Sequence, residues 1–385
     1  MNRAGRVAVA LVATAIVAGC GGKDKQDKSE LKGTMTFGVL APVGREGELG
    51  ARAKDLTNGA KLAVAEINER GGLLGRRLAL DVTDDGCSAP VAYEAAKEYV
   101  SPGDVAGVIG GMCDEAAERE VSVIGSSGLP FLVTGATADG IVGDDTAAAF
   151  AMNGTVHQQA LSAVFWMSYQ SAQRLAVVQD GTPESQDLAR QAVALIDQAP
   201  KLVSRQTAGQ AVAAAAGKVL ASKPDFVLWT GGAASGGELV KALRAHGYKG
   251  TFSATAASES REFLDAAGPA AEGAFVLATA SPLNVAKAPP WRKRFEQEYR
   301  HAPGFDAQQG YDAVRTLAHA IQKSRTTDGA KVAEEIIAQD TDLVNSLGAM
   351  RFARDHTLLY DNRVILKVKD GAFAWERSLR TDTLG

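Results

Sequence analysis

The sequence predicts an α/β protein built from two doubly wound, parallel-sheet lobes. Three observations carry this. Apolar strand-like runs alternate with amphipathic helical segments almost without a break, which implies parallel strands joined by right-handed crossovers. The alternation runs to about residue 133 and then starts again at residue 174. And at 385 residues the chain exceeds the length that one hydrophobic core usually serves.

The elements follow in order. "TMTFGVL" (34–40) is apolar and β-prone, and it precedes the loop "APVGREGELG" (41–50). A helix is expected around 56–69, where Leu56, Ala60, Ala63, Val64 and Ile67 share one face and Gly71–Gly72 stop it. "RRLALDVTDD" alternates Leu78, Leu80 and Val82 as a strand does. Residues 89–100 form a second helix with Pro90 in its first turn, "DVAGVIGG" a strand, 114–127 a helix and "LPFLVTG" a strand. The second run reads strand 174–180, helix 184–198, strand "KLVSRQT", helix 209–222 and strand 224–232. The helix "GELVKALRAHG", the strands "GTFSAT" and "GAFVLAT", and helices near 289–300, 307–323 and 329–339 complete it. In such sheets ligands bind at the carboxyl ends of the strands. The loops at those ends are 41–50, 84–90, 110–114, 134–139, 180–185 and 231–237.

The N-terminus follows different rules. Arg3 and Arg6 precede the apolar run Val7–Val17, too short to span a bilayer but of signal-peptide length. It ends in "VAGC", which resembles the lipobox of bacterial lipoproteins. Residues 1–19 are therefore expected to be a signal peptide, Cys20 the lipidated residue, and 20–33 a flexible tether whose glycines and mixed charges offer nothing to bury. Removing residues 1–19 takes away two arginines and no acid, leaving 39 basic against 45 acidic residues, formally −6. No basic block suggests a nucleic-acid partner.

Chemistry of the catalytic kind is sparse. There is no G-x-x-x-x-G-K-[ST] phosphate loop, no G-x-S-x-G elbow and no G-x-G-x-x-G after the first strand. The five histidines are scattered and make no metal-ligand pair. "TGGAASGG" (230–237) suits either a phosphate cradle or a tight strand-to-helix turn. No enzyme activity, cofactor or metal is expected. With Cys20 acylated, Cys87 and Cys113 remain as an even pair in an exported chain. Two readings are open. A bridge would stabilise by about 3.5 kcal/mol in the chain-entropy model. Alternatively, Cys113 at a helix N-terminus is a nucleophile, although no histidine lies near it in sequence.

"NGAKLAVAEINERGGLLGRRLALDVTDDGCSAPVAYEAAKEYV" (58–100) resembles the opening of the leucine/isoleucine/valine-binding proteins of bacterial ABC importers. The N-G-A, A-x-x-x-I-N, G-G-x-x-G and D-D signatures precede a cysteine, and a second cysteine follows the next strand. "FLVTGATAD", "GYDAVRTLAHAI" and "LGAMRF…VILKVKDGAF" extend the likeness over about 34–380. The resemblance implies a Cys87–Cys113 disulfide and a type I periplasmic-binding clamshell with a three-crossing hinge near 150–154, 279–284 and in the C-terminal region. Lobe 1 is expected at 34–151 plus 281–350, and lobe 2 at 152–280 plus 351–380.

Functionally it implies an extracytoplasmic lipoprotein, anchored to a membrane at Cys20. Such a protein binds an amino-acid-like or amide-like ligand between its lobes and delivers it, as a monomer, to an ABC importer's permease. A ligand-sensing clamshell acting in signalling is the alternative. Residue by residue, Thr137 matches a carboxylate-binding threonine, with Gly135 and Ala136 supplying backbone groups. Departures are frequent. Leu49 stands for the first loop's tyrosine, Glu184 and Ala233 for covering aromatics, and Ala256 for the acid that receives an α-ammonium group. Asp114 stands where a serine holds the ligand carboxylate. An anionic Asp114 facing the cleft would repel a ligand carboxylate by about 4 kcal/mol at 4 Å and an effective dielectric near 20. The ligand would then be neutral or cationic. Alternatively Asp114 complements the helix N-terminus and points away.

Overall fold

The computed structural model describes residues 32–101, 105–143, 145–208, 211–338, 344–345, 348–359 and 362–379. The expected signal peptide, Cys20 and most of the tether lie outside the described residues.

The first sheet comprises β1 (Thr34–Ala41), β2 (Arg77–Asp84), β3 (Val105–Gly110), β4 (Phe131–Val133) and β5 (Ala149–Ala151). Their order is β2-β1-β3-β4-β5, all parallel. The helices α1 (Gly47–Glu69), α2 (Ala89–Val100) and α3 (Asp114–Ser127) connect the first four strands. The second lobe begins with α4 (Val156–Tyr169), β6 (Arg174–Gln179), α5 (Pro183–Ala194), β7 (Lys201–Thr207), α6 (Val212–Ala221) and β8 (Phe226–Trp229). It continues through α7 (Ala233–Ala245), β9 (Thr251–Thr255), α8 (Arg261–Ala267) and β10 (Phe275–Thr279). The chain then returns to the first lobe as α9 (Trp291–Tyr299), α10 (Phe305–Ser324) and α11 (Gly329–Ala338). A two-residue hairpin follows, β11 (Val344–Asn345) with β12 (Gly348–Ala349). The chain ends in β13 (Arg363–Lys369) and β14 (Ala372–Ser378), which close the second sheet in the order β14-β13-β10-β9-β8-β6-β7. The first five second-lobe strands are parallel; β13 and β14 add to β10 antiparallel, a hairpin at one edge of an otherwise parallel sheet.

Each sheet is covered on both faces, as a doubly wound fold requires. In lobe 1, Phe37, Val39 and Ile109 pack against α1, α9, α10 and α11, while Leu40, Val108 and Val133 pack against α2 and α3. In lobe 2, α6, α7 and α8 cover one face, and Trp166 and Leu188 of α4 and α5 cover the other. α1 and α10 approach backbone to backbone. A Cβ at Gly59 would run into the Ala307 carbonyl, and one at Gly310 into the Leu56 carbonyl.

The chain passes between lobes three times: between β5 and α4, between β10 and α9, and between Leu358 and Arg363. Phe352 and Leu358 pack in the lobe 1 core, and the His356 ring stacks on Phe150 with centroids 4.4 Å apart. Lobe 1 therefore continues past the expected boundary at residue 350. α1 also starts nine residues before its expected first turn, inside what the sequence presented as loop.

Candidate ligand cleft

The turn after β3 organises the lobe 1 side. Gly111 has φ 68°, a left-handed conformation that suits glycine, and its carbonyl accepts the N–H groups of Gly135 (3.2 Å) and Ala136 (2.9 Å). Cys113, the N-cap of α3, is disulfide-bonded to Cys87 with Cα atoms 5.5 Å apart, tying the β2 and β3 loops together. A thiolate nucleophile at Cys113 is thereby removed. Beneath the turn, Glu120 is fully buried. Desolvation first, and the charge of Asp85 second, push its carboxyl well above the ordinary range.

Asp114 opens α3. Its Oδ1 accepts the backbone N–H of Thr137 at 2.7 Å and of Ala138 at 3.2 Å. The side chain therefore neither projects freely into the cleft nor merely complements its own helix terminus. It bridges to the loop after β4. Further along that loop, the Thr137 carbonyl accepts from Val156 N at 2.8 Å, and the Gly135 carbonyl accepts from Asn153 Nδ2 at 3.3 Å.

Lobe 2 contributes loops after β6, β8 and β9. Asp180 follows β6; its Oδ1 accepts from the backbone N–H (3.0 Å) and the hydroxyl (2.8 Å) of Thr182, and its Oδ2 accepts from Gly232 N (2.8 Å). Partial burial pushes the carboxyl up. The N–H groups of Thr182 and Gly232, with the hydroxyls of Thr182 and Ser185, outweigh that and hold it below its ordinary pKa. Thr182 also caps α5, accepting from Ser185 N at 3.3 Å, with Pro183 in the first turn. Ser185 and Thr230 pair through their hydroxyls at 3.0 Å. Gly231 sits where any Cβ would collide with Trp229 and Asp180.

These groups line a cleft of about 310 Å³, with Thr137 from lobe 1 and Gln159, Asp180, Glu184, Ser185, Thr230 and Thr255 from lobe 2 among its walls. Of the residues singled out in sequence, Thr137 and Glu184 line this cavity. Gly135, Ala136 and Asp114 stand behind Thr137, tied to it or to Gly111 by hydrogen bonds. Leu49 is half-buried in the first turn of α1. Ala233 is buried as the first residue of α7, and Ala256 opens the 3₁₀ turn Ala256–Ser258, whose neighbours Thr255 and Ala257 line the cavity. Gln159, Asp180, Thr182, Ser185, Thr230 and Thr255 are polar lining residues that the sequence did not single out. The strand-end position of "VQDGTPES" was the available signal. A second cavity of about 610 Å³ lies where residues 139–142, the start of α4 and residues 353–359 meet. Among the described residues, no group of three or more histidines, cysteines and carboxylates is placed to hold a metal, and no helix is long and apolar enough to cross a membrane.

A family model described as periplasmic binding protein matches residues 34–372. The Leu/Ile/Val-binding protein of Escherichia coli (strain K12) is 24% identical over 326 residues, spanning 82% of this chain and 85% of that protein. A putative branched-chain amino acid ABC transporter structure from Rhodospirillum rubrum superposes with a TM-score of 0.77 at 21% identity, covering 89% of this chain and all of that one. The branched-chain amino acid transporter substrate binding protein of Streptococcus pneumoniae, solved with isoleucine, gives a TM-score of 0.72 at 19% identity, covering 90% of this chain and 99% of that one.

Proposed function

This chain belongs to the periplasmic binding protein family, and on that premise we propose that it is an exported, lipid-anchored solute-binding protein of an ABC importer. It captures a small amino-acid-like or amide-like ligand between its lobes and presents the closed form to a membrane permease. The observation that carries this is the polar cleft itself, which collects hydroxyl, amide and carboxylate groups at the carboxyl ends of both sheets. The three crossings supply the hinge. Closure requires ligand contacts that differ between open and closed states, so the ligand shifts a population between the two.

Thr137 and Glu184 are proposed as direct ligand contacts. Leu49, Gly135, Ala136, Ala233 and Ala256 are proposed to complete the wall on closure, with Asp114 setting the polarity of the lobe 1 side. The protein acts as a monomer, with Cys20 as the membrane attachment and no catalytic step.

A thermal-shift screen of aliphatic amino acids, their amides, amines and small aromatic acids tests the reading. A ligand confined to the native state and present at 100 times its dissociation constant adds about 2.7 kcal/mol. A saturable shift from at least one such compound supports solute capture. No shift across the whole panel counts against it.

A further inference from the structure

Backbone N–H groups at strand ends and helix N-termini are ready-made partners for a ligand anion. Here the chain's own carboxylates occupy them in both lobes. In lobe 1, Asp114 takes the N–H groups of Thr137 and Ala138, while those of Gly135 and Ala136 are spent on the Gly111 carbonyl. In lobe 2, Asp180 takes those of Thr182 and Gly232. The two plugs lie on separate elements and arise independently. Among the described residues lining the cavity there is no lysine, arginine or histidine, while Asp180 and Glu184 both face it.

From this double occupancy we infer that the cleft takes a small organic cation without a carboxylate, an amine or guanidine, with Asp114 acting as the built-in substitute for a ligand carboxylate. The inference rests on the solute-binding reading and narrows it. An incoming carboxylate finds these strand-end donors filled and two fixed negative charges nearby. An ammonium or guanidinium group finds acceptors: the remaining lone pairs of Asp180, the Glu184 carboxylate, and the oxygens of Gln159, Ser185 and Thr230. No positive side chain in the lining competes with it.

The test pairs each amino acid with the amine left by its decarboxylation: leucine with 3-methylbutylamine, lysine with cadaverine, arginine with agmatine. Valeramide serves as the neutral control, and binding is read by calorimetry on the full chain. At least one amine is expected to bind about tenfold or more tightly than its parent amino acid. Asp114→Ser, by freeing the Thr137 and Ala138 N–H groups, should narrow or reverse that ratio. Glu184→Gln, on an exposed side chain, should weaken the amine about two- to fivefold and leave folding unchanged. An amino acid or valeramide binding as well as or better than every amine overturns the cation assignment while leaving solute capture intact. Silence from every probe, on a chain shown to be folded, also overturns the cation assignment, and solute capture is then decided by the wider thermal-shift panel.

Discussion

Arg363, the first residue of β13, donates from Nη2 to the Gly154 carbonyl at 3.3 Å, so the third crossing between the lobes is bonded to the first. The same guanidinium donates from Nη1 to the hydroxyl of Thr279, at the end of β10 where the second crossing begins. One buried cation thus touches all three strands of the hinge.

Replacing Arg363 by Met would remove both bonds and leave buried acceptors behind. The expected loss is about 2–4 kcal/mol of unfolding free energy, read by urea titration. Arg363→Lys keeps the charge but only one point of attachment, and should fall between the two. An Arg363→Met chain as stable as the parent would show that the cross-link contributes nothing.

Beside this network, Glu259 accepts from Asn284 Nδ2 at 2.8 Å, and Asn284 in turn donates to the Thr279 carbonyl. Burial pushes the Glu259 carboxyl up to about 7; the Asn284 bond and the charge of Arg363 oppose this and do not cancel it. A raised acid pKa means the folded chain holds its proton longer than the unfolded one. The contribution is whole below about pH 4.5 and is lost as pH rises through about 7. Stability should decline by about 2–3 kcal/mol between pH 5 and 8 from this group, and Glu259→Gln should flatten that slope. An unchanged slope in the variant would assign the decline to other groups.

The contact between α1 and α10 leaves no room for a methyl group. Gly310→Ala would drive a Cβ into the Leu56 carbonyl, and Gly59→Ala one into Ala307. Each is expected to destabilise by about 1–3 kcal/mol despite the better helix propensity of alanine. Gly217→Ala in α6, where nothing lies within 4 Å of the added atom, should be neutral or slightly stabilising. Melting temperatures that rise in all three variants would refute the close approach.

Cutting the Cys87–Cys113 bridge, which spans 26 positions in sequence, should cost about 3.5 kcal/mol of stability in the Cys87→Ser/Cys113→Ser chain. Reduction of the parent protein should produce the same loss, and reductant should cause no further loss in the variant.

The strand and helix periods make most of the architecture legible in the sequence. The residues around Gly110–Gly111 announced a strand, a turn and a helix, and these are β3, the Gly111 turn and α3. Several features do not show in those periods. α1 starts after Glu46, whose side chain makes no capping bond, so no local signal marked its beginning. α4 is marked in sequence by the capping box of Thr155 and Gln158 and not by a clear apolar stripe. The three-residue strand β5 is too short for any period to register. And β13 with β14 joins the second sheet after the whole of α9–α11 has intervened. In the cleft, the bond from Asp114 to Thr137 joins residues 23 positions apart. Sequence could place both at strand ends. Only the approach of two loops decides that one fills the other.

Because α1 meets α10 about 250 residues later, the first lobe cannot be finished when its own sheet has emerged from the ribosome. The side of α1 around Leu56 and Ala60 that meets Gly310 lacks its partner until strands β6 to β10 have been made and the chain has come back. The late helix withholds the partner that would lock the early one, which favours slow, high-contact-order folding over premature collapse. Truncating the chain before Phe305 removes α10 and α11 from lobe 1 and the β13–β14 hairpin from lobe 2, so the fragment should expose both the α1 face and the β10 edge and lose its cooperative unfolding transition.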